Sequence, residues 1–514
     1  MGIIFLVVVL IALIWVFFLF KERKDPRAQL CLPPGPKPWP VIGNLLILMK
    51  NRPVFRQMHD IMSKMGVEIC CFRLGKTNVI VVTSPEVACE FLRKHDAVFA
   101  SRPDFLSAEL VGSGFSGIAL TPLCDQWKKM RHVFVSRIFS PTSLQLMHDK
   151  RVEEFDNIVH YVGNVIKNNE GLVNVRLVAR HLCANVMRKM VFNKRFFGKG
   201  TQSGGPGVEE EEHVDMIFTM QKYVYSFCIT DYVPFLRRRL DLDGHEKATT
   251  HALENVRKYQ DPEIDLRIKQ WKNGTRREKQ DLLDILITLK DDKCNSLLTT
   301  EEIKSQVMDI MLGIDNPSNA VEWALGELIN HPELLEIATQ ELDRVVGKER
   351  LVQESDIPNL NYIKACMKES LRLHPVAPFN LPHVSVSDTI VAGYFIPKGS
   401  HVLLSRPGLG RNPRIWDEPL RFKPERHLKD DGSQVNLYDP NLHVFSFGIG
   451  RRQCAGIHLG SIMSIILLAR LIQAFTWRPT SNTSCIELIE GLDHMFISKP
   501  LHAFAMPRLN KDLY

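Results

Sequence analysis

The sequence predicts a mainly helical α+β fold: one large helical globule with a small β region, preceded by a membrane-spanning helix. Three observations predict it. Most of the body repeats its apolar residues at helical spacing, only two stretches read as extended, and the N-terminus holds an unbroken apolar run. Of 514 residues, 45% are hydrophobic, and no long polar linker interrupts the body. Length alone allows two or more domains, and one core-rich globule equally. A net charge of +7, with acids and bases interleaved, is too mild for nucleic-acid binding. It leaves room for a local basic patch facing an acidic protein or a membrane. The 11 cysteines are scattered with no C-x-x-C pair, which argues against a disulfide framework.

Ile3 to Phe20 is apolar throughout. As a helix it spans about 27 Å, enough for a thin bilayer. Lys21, Arg23, Lys24 and Arg27 follow at once. A cleaved signal peptide is the other reading, but no charged segment precedes the run and no A-x-A site follows it. Residues 1–24 are expected to anchor the chain, single-pass, with the basic flank and the body in the cytosol. The endoplasmic reticulum, whose bilayer is thin, suits so short a span. The sequons at Asn273 and Asn482 would then be unused. Residues 25–44 hold Leu32-Pro33-Pro34-Gly35-Pro36, then Pro38 and Pro40. Prolines this dense stiffen the backbone, so the stretch reads as a linker or as a rigid hinge that sets the globule on the membrane. Residues 45–514 form the globular domain.

Glu68 to Thr83 is rich in Val, Ile, Thr and Phe, with a turn at Gly75-Lys76, and reads as a hairpin. Thr389 to Leu404 is a second extended stretch, broken at Gly393 and at Pro397-Lys398-Gly399. The glycine-rich stretch Gly198–Gly207 and the acids Glu209–Glu212 read as a surface loop feeding a helix N-terminus, where acids are solvated and favoured by the dipole. Thr299 and Glu302 form a capping box. Ile303, Val307, Ile310 and Ile314 then mark one face of a helix that continues through Trp323 and Leu328 to His331-Pro332. About 30 residues give roughly 45 Å, enough to cross a whole domain. Its middle holds Gly313-Ile314-Asp315-Asn316-Pro317. A tolerated kink explains the proline. A glycine, an acid, an amide and a proline together are poor choices for packing, and such breaches concentrate at functional sites.

Near the C-terminus stands Phe447-Gly448-Ile449-Gly450-Arg451-Arg452-Gln453-Cys454-Ala455-Gly456, or F-x-x-G-x-R-x-C-x-G. Five fixed positions give a chance match on the order of 10⁻⁴ in such a chain. The pattern resembles the ligand loop of the cytochrome P450 family, which makes Cys454 the thiolate ligand of a haem b iron. A thiolate pushes electron density toward iron and favours O–O cleavage. Gly450 and Gly456 let backbone N–H groups turn around the sulfur. Phe447 shields it from water, and Arg452 is placed to meet a haem propionate. An apolar helix, Ile457 to Phe475, follows.

Three further motifs support the resemblance. Glu369-Ser370-Leu371-Arg372 is E-x-x-R at i, i+3, which alone reads as a surface ion pair. Pro424-Glu425-Arg426-His427 stands at the expected distance before the Cys loop. In the family the Glu, the Arg and the later Arg form a buried triad. Trp127-Lys128-Lys129-Met130-Arg131 is W-x-x-x-R, whose Trp127 and Arg131 meet haem propionates in the family. The resemblance runs from anchor to C-terminus.

The long helix of the family usually carries an acid followed by threonine, which relay protons to dioxygen. Here Asp315 keeps the acid and Asn316-Pro317 replaces the threonine. Asp315-Asn316-Pro317-Ser318-Asn319-Ala320 is similar to the plant amino-acid N-monooxygenases, which make aldoximes for glucosinolates or cyanogenic glucosides. His427 stands where most members have Phe. In Phe379-Asn380-Leu381-Pro382-His383-Val384, His383 replaces an arginine that contacts a propionate. Arg350 to Ser400 resembles this subgroup throughout. Ile449 and Gln453 depart from it, where a small hydroxyl residue and a glycine are usual. The resemblance implies N-hydroxylation of an amino acid, aromatic slightly favoured, using dioxygen and NADPH electrons from a separate cytochrome P450 reductase. Lys128, Lys129, Arg137, Arg451 and Arg452 would form the basic face for that reductase. Asn316 and Asn319 would be polar groups beside the haem for a zwitterionic substrate. Other readings are a P450 hydroxylating another small plant metabolite, a haem-thiolate isomerase or dehydratase, and a non-catalytic haem sensor. The ordinary spacing from Phe447 to Cys454 speaks against the dehydratase, and an acid in a kinked helix against the sensor.

Overall fold

The structure is a computed structural model and describes residues 31–50, 53–480, 485–491 and 494–514. The expected anchor over residues 1–24 and the sequon at Asn482 lie outside the described residues. The proline-rich stretch lies against the first strand without helix or strand of its own. The Cys71 N–H donates to the Pro34 carbonyl at 2.8 Å. Gly35 is required there: a Cβ would stand 1.9 Å from the Cys71 carbonyl oxygen.

The longer helices, in chain order, are α1 (Val54–Met65), α2 (Asp125–Val133), α3 (His148–Asn168), α4 (Val175–Phe192), α5 (Val208–Val224), α6 (His245–Lys272), α7 (Thr300–Met311), α8 (Asp315–Asn330), α9 (Pro332–Val345), α10 (Asn361–Leu373) and α11 (Ile457–Ala474). The strands are β1 (Ile69–Leu74), β2 (Thr77–Val82), β3 (Leu172–Asn174), β4 (His383–Val384), β5 (Thr389–Val391), β6 (Tyr394–Ile396), β7 (His401–Leu404), β8 (Phe475–Pro479) and β9 (His502–Pro507). The expected hairpin is β1–β2, turning at Gly75 with φ 58°. The second extended stretch supplies β5, β6 and β7. The larger sheet runs β1-β2-β7-β4, with β2 and β7 parallel from Val79↔His401 to Val82↔Leu404. β3-β9-β8 and β5-β6 form two smaller sheets.

Helix α8 lies at the centre, packed on α4, α10 and α11. Among the described residues α11 is the helix apolar and long enough to cross a membrane, and it is instead the buried core helix. The Trp323 indole on α8 donates to the Met495 carbonyl at 3.0 Å and stacks on His374 at 3.9 Å. The glycine-rich loop before α5 is held by Glu210, which is buried. Its carboxylate accepts the N–H groups of Phe197, Gly198 and Gly207 at 2.7–2.9 Å. One member of the acidic run is thus structural and not merely solvated.

The capping box forms as expected: Thr299 Oγ1 accepts the Glu302 N–H, and the Glu302 carboxylate accepts the Thr299 N–H at 2.8 Å. The expected single helix beyond it is divided. α7 ends at Met311, Leu312–Ile314 make a 3₁₀ turn, and α8 restarts at Asp315. Pro317 is the physical reason. It has no N–H for the Gly313 carbonyl, but in the first turn of a new helix none is needed. Gln221 Nε2 on α5 donates to the Leu312 carbonyl and fills one acceptor at the break.

Helix α10 carries the strongest polar cluster of the core. Arg372 Nε and Nη2 each donate to the Glu369 carboxylate at 2.7 Å, and both side chains are fully buried. Arg426 Nε and His427 Nε2 add bonds at 3.1 and 2.8 Å, and the Lys423 N–H adds one at 2.8 Å. Arg372 also donates to the carbonyls of Gly410, Pro419 and Arg421. The family triad is therefore a cluster of four, with His427 as the fourth member. Burial opposes the Glu369 charge, but the hydrogen bonds from Arg372 and His427 bring its pKa from 4.5 to about 2. Burial lowers the His427 pKa against the pull of Glu369, so the ring enters as a neutral donor.

Glu369→Gln should destabilise the fold by about 3–5 kcal/mol, the usual effect of orphaning a buried charge. Thermal unfolding measures it. In the wild type the Glu369 contribution is whole above pH 4.5 and is lost as pH falls from 4.5 toward about 2, because the folded pKa is the depressed one. The variant should lack that part of the acid sensitivity.

Candidate functional site: a cysteine loop beneath an arginine-rimmed cavity

The α7–α8 break faces residues 447–456 across a cavity of about 280 Å³. The loop folds on itself before α11. The Cys454 N–H donates to the Phe447 carbonyl at 2.9 Å, and the Gln453 N–H to the Gly450 carbonyl at 3.0 Å. Gly450 takes φ 77°, and a Cβ there would stand 2.4 Å from Asp96 Oδ1 and 2.5 Å from the Leu92 carbonyl oxygen. Only glycine fits both the conformation and the space. Asp96 in turn accepts the Arg451 N–H and side chain at 2.9 and 2.8 Å.

The Cys454 sulfur opens onto the cavity, and protein encloses the cavity around it. Burial raises its pKa, while the Gly456 N–H, Arg131 and Arg406 favour the thiolate. The sulfur sits at the N-terminus of α11, where a negative charge is stabilised. Phe447 lines the cavity and packs where a side chain on Gly460 would stand, 3.5 Å from its Cβ position. Of the two departures, Ile449 is buried among Leu92 and Phe445, and Gln453 lines the cavity and offers its carbonyl to Arg131 at 2.8 Å.

One end of the cavity gathers cations. The Arg452 guanidinium donates to the carbonyls of Ala100, Ile118 and Thr121 and lies 4.1 Å over the Trp127 ring. The Trp127 indole donates to the Ile118 carbonyl at 3.1 Å. His383 Nδ1 bonds the Phe99 carbonyl at 2.6 Å. Arg102 joins them, donating to the carbonyls of Ala119, Leu381 and Pro382. Among the described residues no acid pairs with Arg102, Arg131 or Arg452. Burial, with repulsion from Arg102 and Arg131, pushes Arg452 down to about 8. These cations therefore lack counter-anions, and beside them a sulfur lacks a Lewis acid. An iron porphyrin with two propionates supplies both, so the residues fit haem b.

Arg452 does not join the expected basic face: it points inward to the carbonyls above. Lys128, Arg137 and Arg451 remain at the surface, Lys128 beside Asp125 and Arg451 beside Asp96, while Lys129 pairs with Glu302. On the opposite wall Gly313, Asn316 and Pro317 line the cavity. The Asp315 side chain is buried, and Asn319 Nδ2 donates both to its carboxylate and to its carbonyl. Burial raises its pKa to about 7 against Arg180 and Asn319. Asn319 Nδ2 is thus committed to Asp315 while its Oδ1 is buried without a partner, and Asn319 is not among the residues lining the cavity.

Sequence reasoning missed Arg102, Gln221, Tyr225 and Arg406, all on the cavity wall. No short motif holds them, since each meets the cavity only through tertiary packing. The one available signal was a lone arginine in an apolar context, as in Phe99-Ala100-Ser101-Arg102.

The sequence profile of the family described as Cytochrome P450 matches residues 33–503. The chain belongs to the cytochrome P450 family. This cytochrome P450 is a haem-thiolate monooxygenase, with haem b as cofactor and NADPH electrons arriving through a separate reductase. It is 52% identical to valine N-monooxygenase 1 of Manihot esculenta over 96% of this chain and 90% of that one. It is 51% identical to phenylalanine N-monooxygenase of Arabidopsis thaliana over 96% of this chain and 95% of that one. Tryptophan N-monooxygenase 1 of the same plant is 48% identical over 98% and 93%.

Cys454→Ala should abolish the carbonyl difference spectrum typical of thiolate-ligated haem, since among the described residues no other cysteine lines the cavity. A reduced, carbon monoxide-treated sample of variant and wild type checks it. A thiolate spectrum retained by the variant would exclude Cys454 as ligand.

Proposed function

We propose that this cytochrome P450 converts an amino acid to its aldoxime by two successive N-hydroxylations. The observation that carries the reading is the near-uniform similarity, about 50% over almost the whole chain, to relatives that are named N-monooxygenases of amino acids. Those relatives differ in side chain, from valine to tryptophan, at almost the same identity. What they share is the amino-acid head, and the polar cavity wall of Asn316, Gln221 and Tyr225 suits a polar head. Anchoring in the endoplasmic reticulum membrane by residues 1–24, body in the cytosol, belongs to the same proposal and rests on the apolar run and its basic flank.

Haem b held by Cys454 supplies dioxygen activation. Each hydroxylation places one oxygen atom on nitrogen and releases the other as water, with two electrons from NADPH. In the last step the bond to the carboxylate breaks, its electron pair forms C=N, carbon dioxide leaves, and hydroxide leaves nitrogen to be protonated. The chain's own part is to hold the substrate and to deliver protons. Threonine, usual beside the acid, would hold a relay water. Asn316 both donates and accepts, so it holds a water or the substrate, but it does not ionise. Gly313, whose carbonyl Pro317 leaves without a helical donor, lines the same wall. The bound amino acid completes the relay between Asn316 and this carbonyl. Asp315, with a pKa near 7, stands behind as the proton source.

Incubated with reductase, NADPH and single amino acids, the protein should form an aldoxime from at least one aromatic or aliphatic amino acid. Mass spectrometry of the products decides, and failure across the proteinogenic set would refute the reading.

Asn316→Thr restores the ordinary family pattern. It should weaken amino-acid binding and send a larger share of electrons to peroxide. NADPH consumed per aldoxime formed is the measurement; unchanged affinity and coupling would make the break in the helix purely structural.

A further inference from the structure

Arg406 is a charge in the cavity that the haem-binding residues do not account for. It opens a short helix, Arg406–Gly410, directly after β7. Its N–H donates to the Pro378 carbonyl at 3.0 Å, and Ser405 caps the turn by accepting the Gly408 N–H at 2.8 Å. The guanidinium therefore enters the cavity from a fixed backbone. Arg406 is only 9% exposed, yet its Nε has no hydrogen-bond partner, and no ion pair reaches it among the described residues. The Phe445 ring, 5.3 Å from the guanidinium carbon, gives partial compensation. A buried cation without an anion is strongly unfavourable, so the anion comes from what the cavity receives.

The haem carboxylates are one source, but Arg102, Arg131 and Arg452 already stand at that end. The charges bearing on Arg452 come from Arg102, Arg131 and Cys124, not from Arg406. Arg406 bears on Asp315 and Tyr225, toward α8 and α5, as well as on Cys454. On that same side Gln221 Oε1 is buried with no donor, while its Nε2 is held by the Leu312 carbonyl. The cavity thus offers an unpaired cation and an unpaired acceptor. A zwitterion supplies the complement of both.

We infer that Arg406 binds the α-carboxylate of the amino-acid substrate and that the Gln221 side-chain carbonyl accepts a hydrogen bond from its ammonium. This rests on the amino-acid reading above. It makes Arg406 the residue that separates amino acids from amines of the same side chain. It also ties release to chemistry. The carboxylate that Arg406 holds leaves as carbon dioxide, so the aldoxime has no anion left for it and departs more easily.

The test is a spectral titration of the haem-loaded protein with the amino acid it accepts, with that amino acid's amide and with its amine. Wild type should bind the amino acid about 10- to 100-fold more tightly than the amide or amine, the size expected of a charge-assisted pair. Arg406→Gln should lose most of that preference with its haem content and carbonyl spectrum unchanged, and Arg406→Lys should recover part of it. Equal binding of amino acid and amide by wild type overturns the inference, whatever the variants do. So does an Arg406→Gln protein that keeps the preference, or one whose haem content falls and is restored by lysine, since the arginine would then serve the haem. A wild type that binds no amino acid at all fails the parent reading instead.

Discussion

Uncompensated charge inside a closed protein governs this molecule. The cavity is ringed by Arg102, Arg131, Arg406 and Arg452, and at its floor a cysteine is asked to carry a negative charge that burial opposes. Among the described residues no acid forms an ion pair with these arginines. The protein therefore meets its electrostatic balance only with its ligands in place. A thiolate-bound metal and the two carboxylates of haem b fit the sulfur and the arginines around Trp127, and Arg406 stands beside Phe445 as a further unpaired cation.

Glu369 shows the opposite solution. There an acid, two arginines, a histidine and a backbone N–H satisfy one another with no ligand at all. The cluster joins α10 to the segment that leads into the cysteine loop, and Trp416 covers it, with the Arg372 and Arg426 guanidinium carbons 5.1 and 5.7 Å from its ring. A closed network of this kind gives the rigid floor that an open, charged cavity needs. The two designs divide the labour: completed charge for scaffold, incomplete charge for recognition.

Contiguity decided what the sequence could reveal. The cysteine loop, E-x-x-R and W-x-x-x-R are short, so their residues could be named and their elements placed. The hairpin and the capping box follow from local rules and appear as expected. Pro317 was visible, but its outcome was not. A proline inside a helix can bend it or restart it; here the helix restarts, and Gln221, almost a hundred residues earlier, takes up the Leu312 carbonyl at the break. The resemblance placed Asp315 in the proton relay and Asn319 beside the haem, yet the two bond each other and neither lines the cavity. The part His427 plays in the Glu369 cluster was likewise invisible as a mere replacement of phenylalanine. Arg406 gave no signal, because only the pairing of β7 with its neighbours carries it to the cavity.

The parallel pair of β2 and β7 joins Val82 to Leu404, about 320 residues apart along the chain. Closing so large a loop carries an entropic penalty that contacts within the loop must offset first. At a synthesis rate of roughly 5–20 residues per second, β2 waits on the order of 15–60 seconds before its partner leaves the ribosome. During that time the hairpin presents an unpaired edge of buried-type residues, Val79 to Val82. Since β7 also positions Arg406 and pairs with the strand of His383, the cavity walls close only when this late, high-contact-order step is made. The complete cavity is then available to haem only after this step.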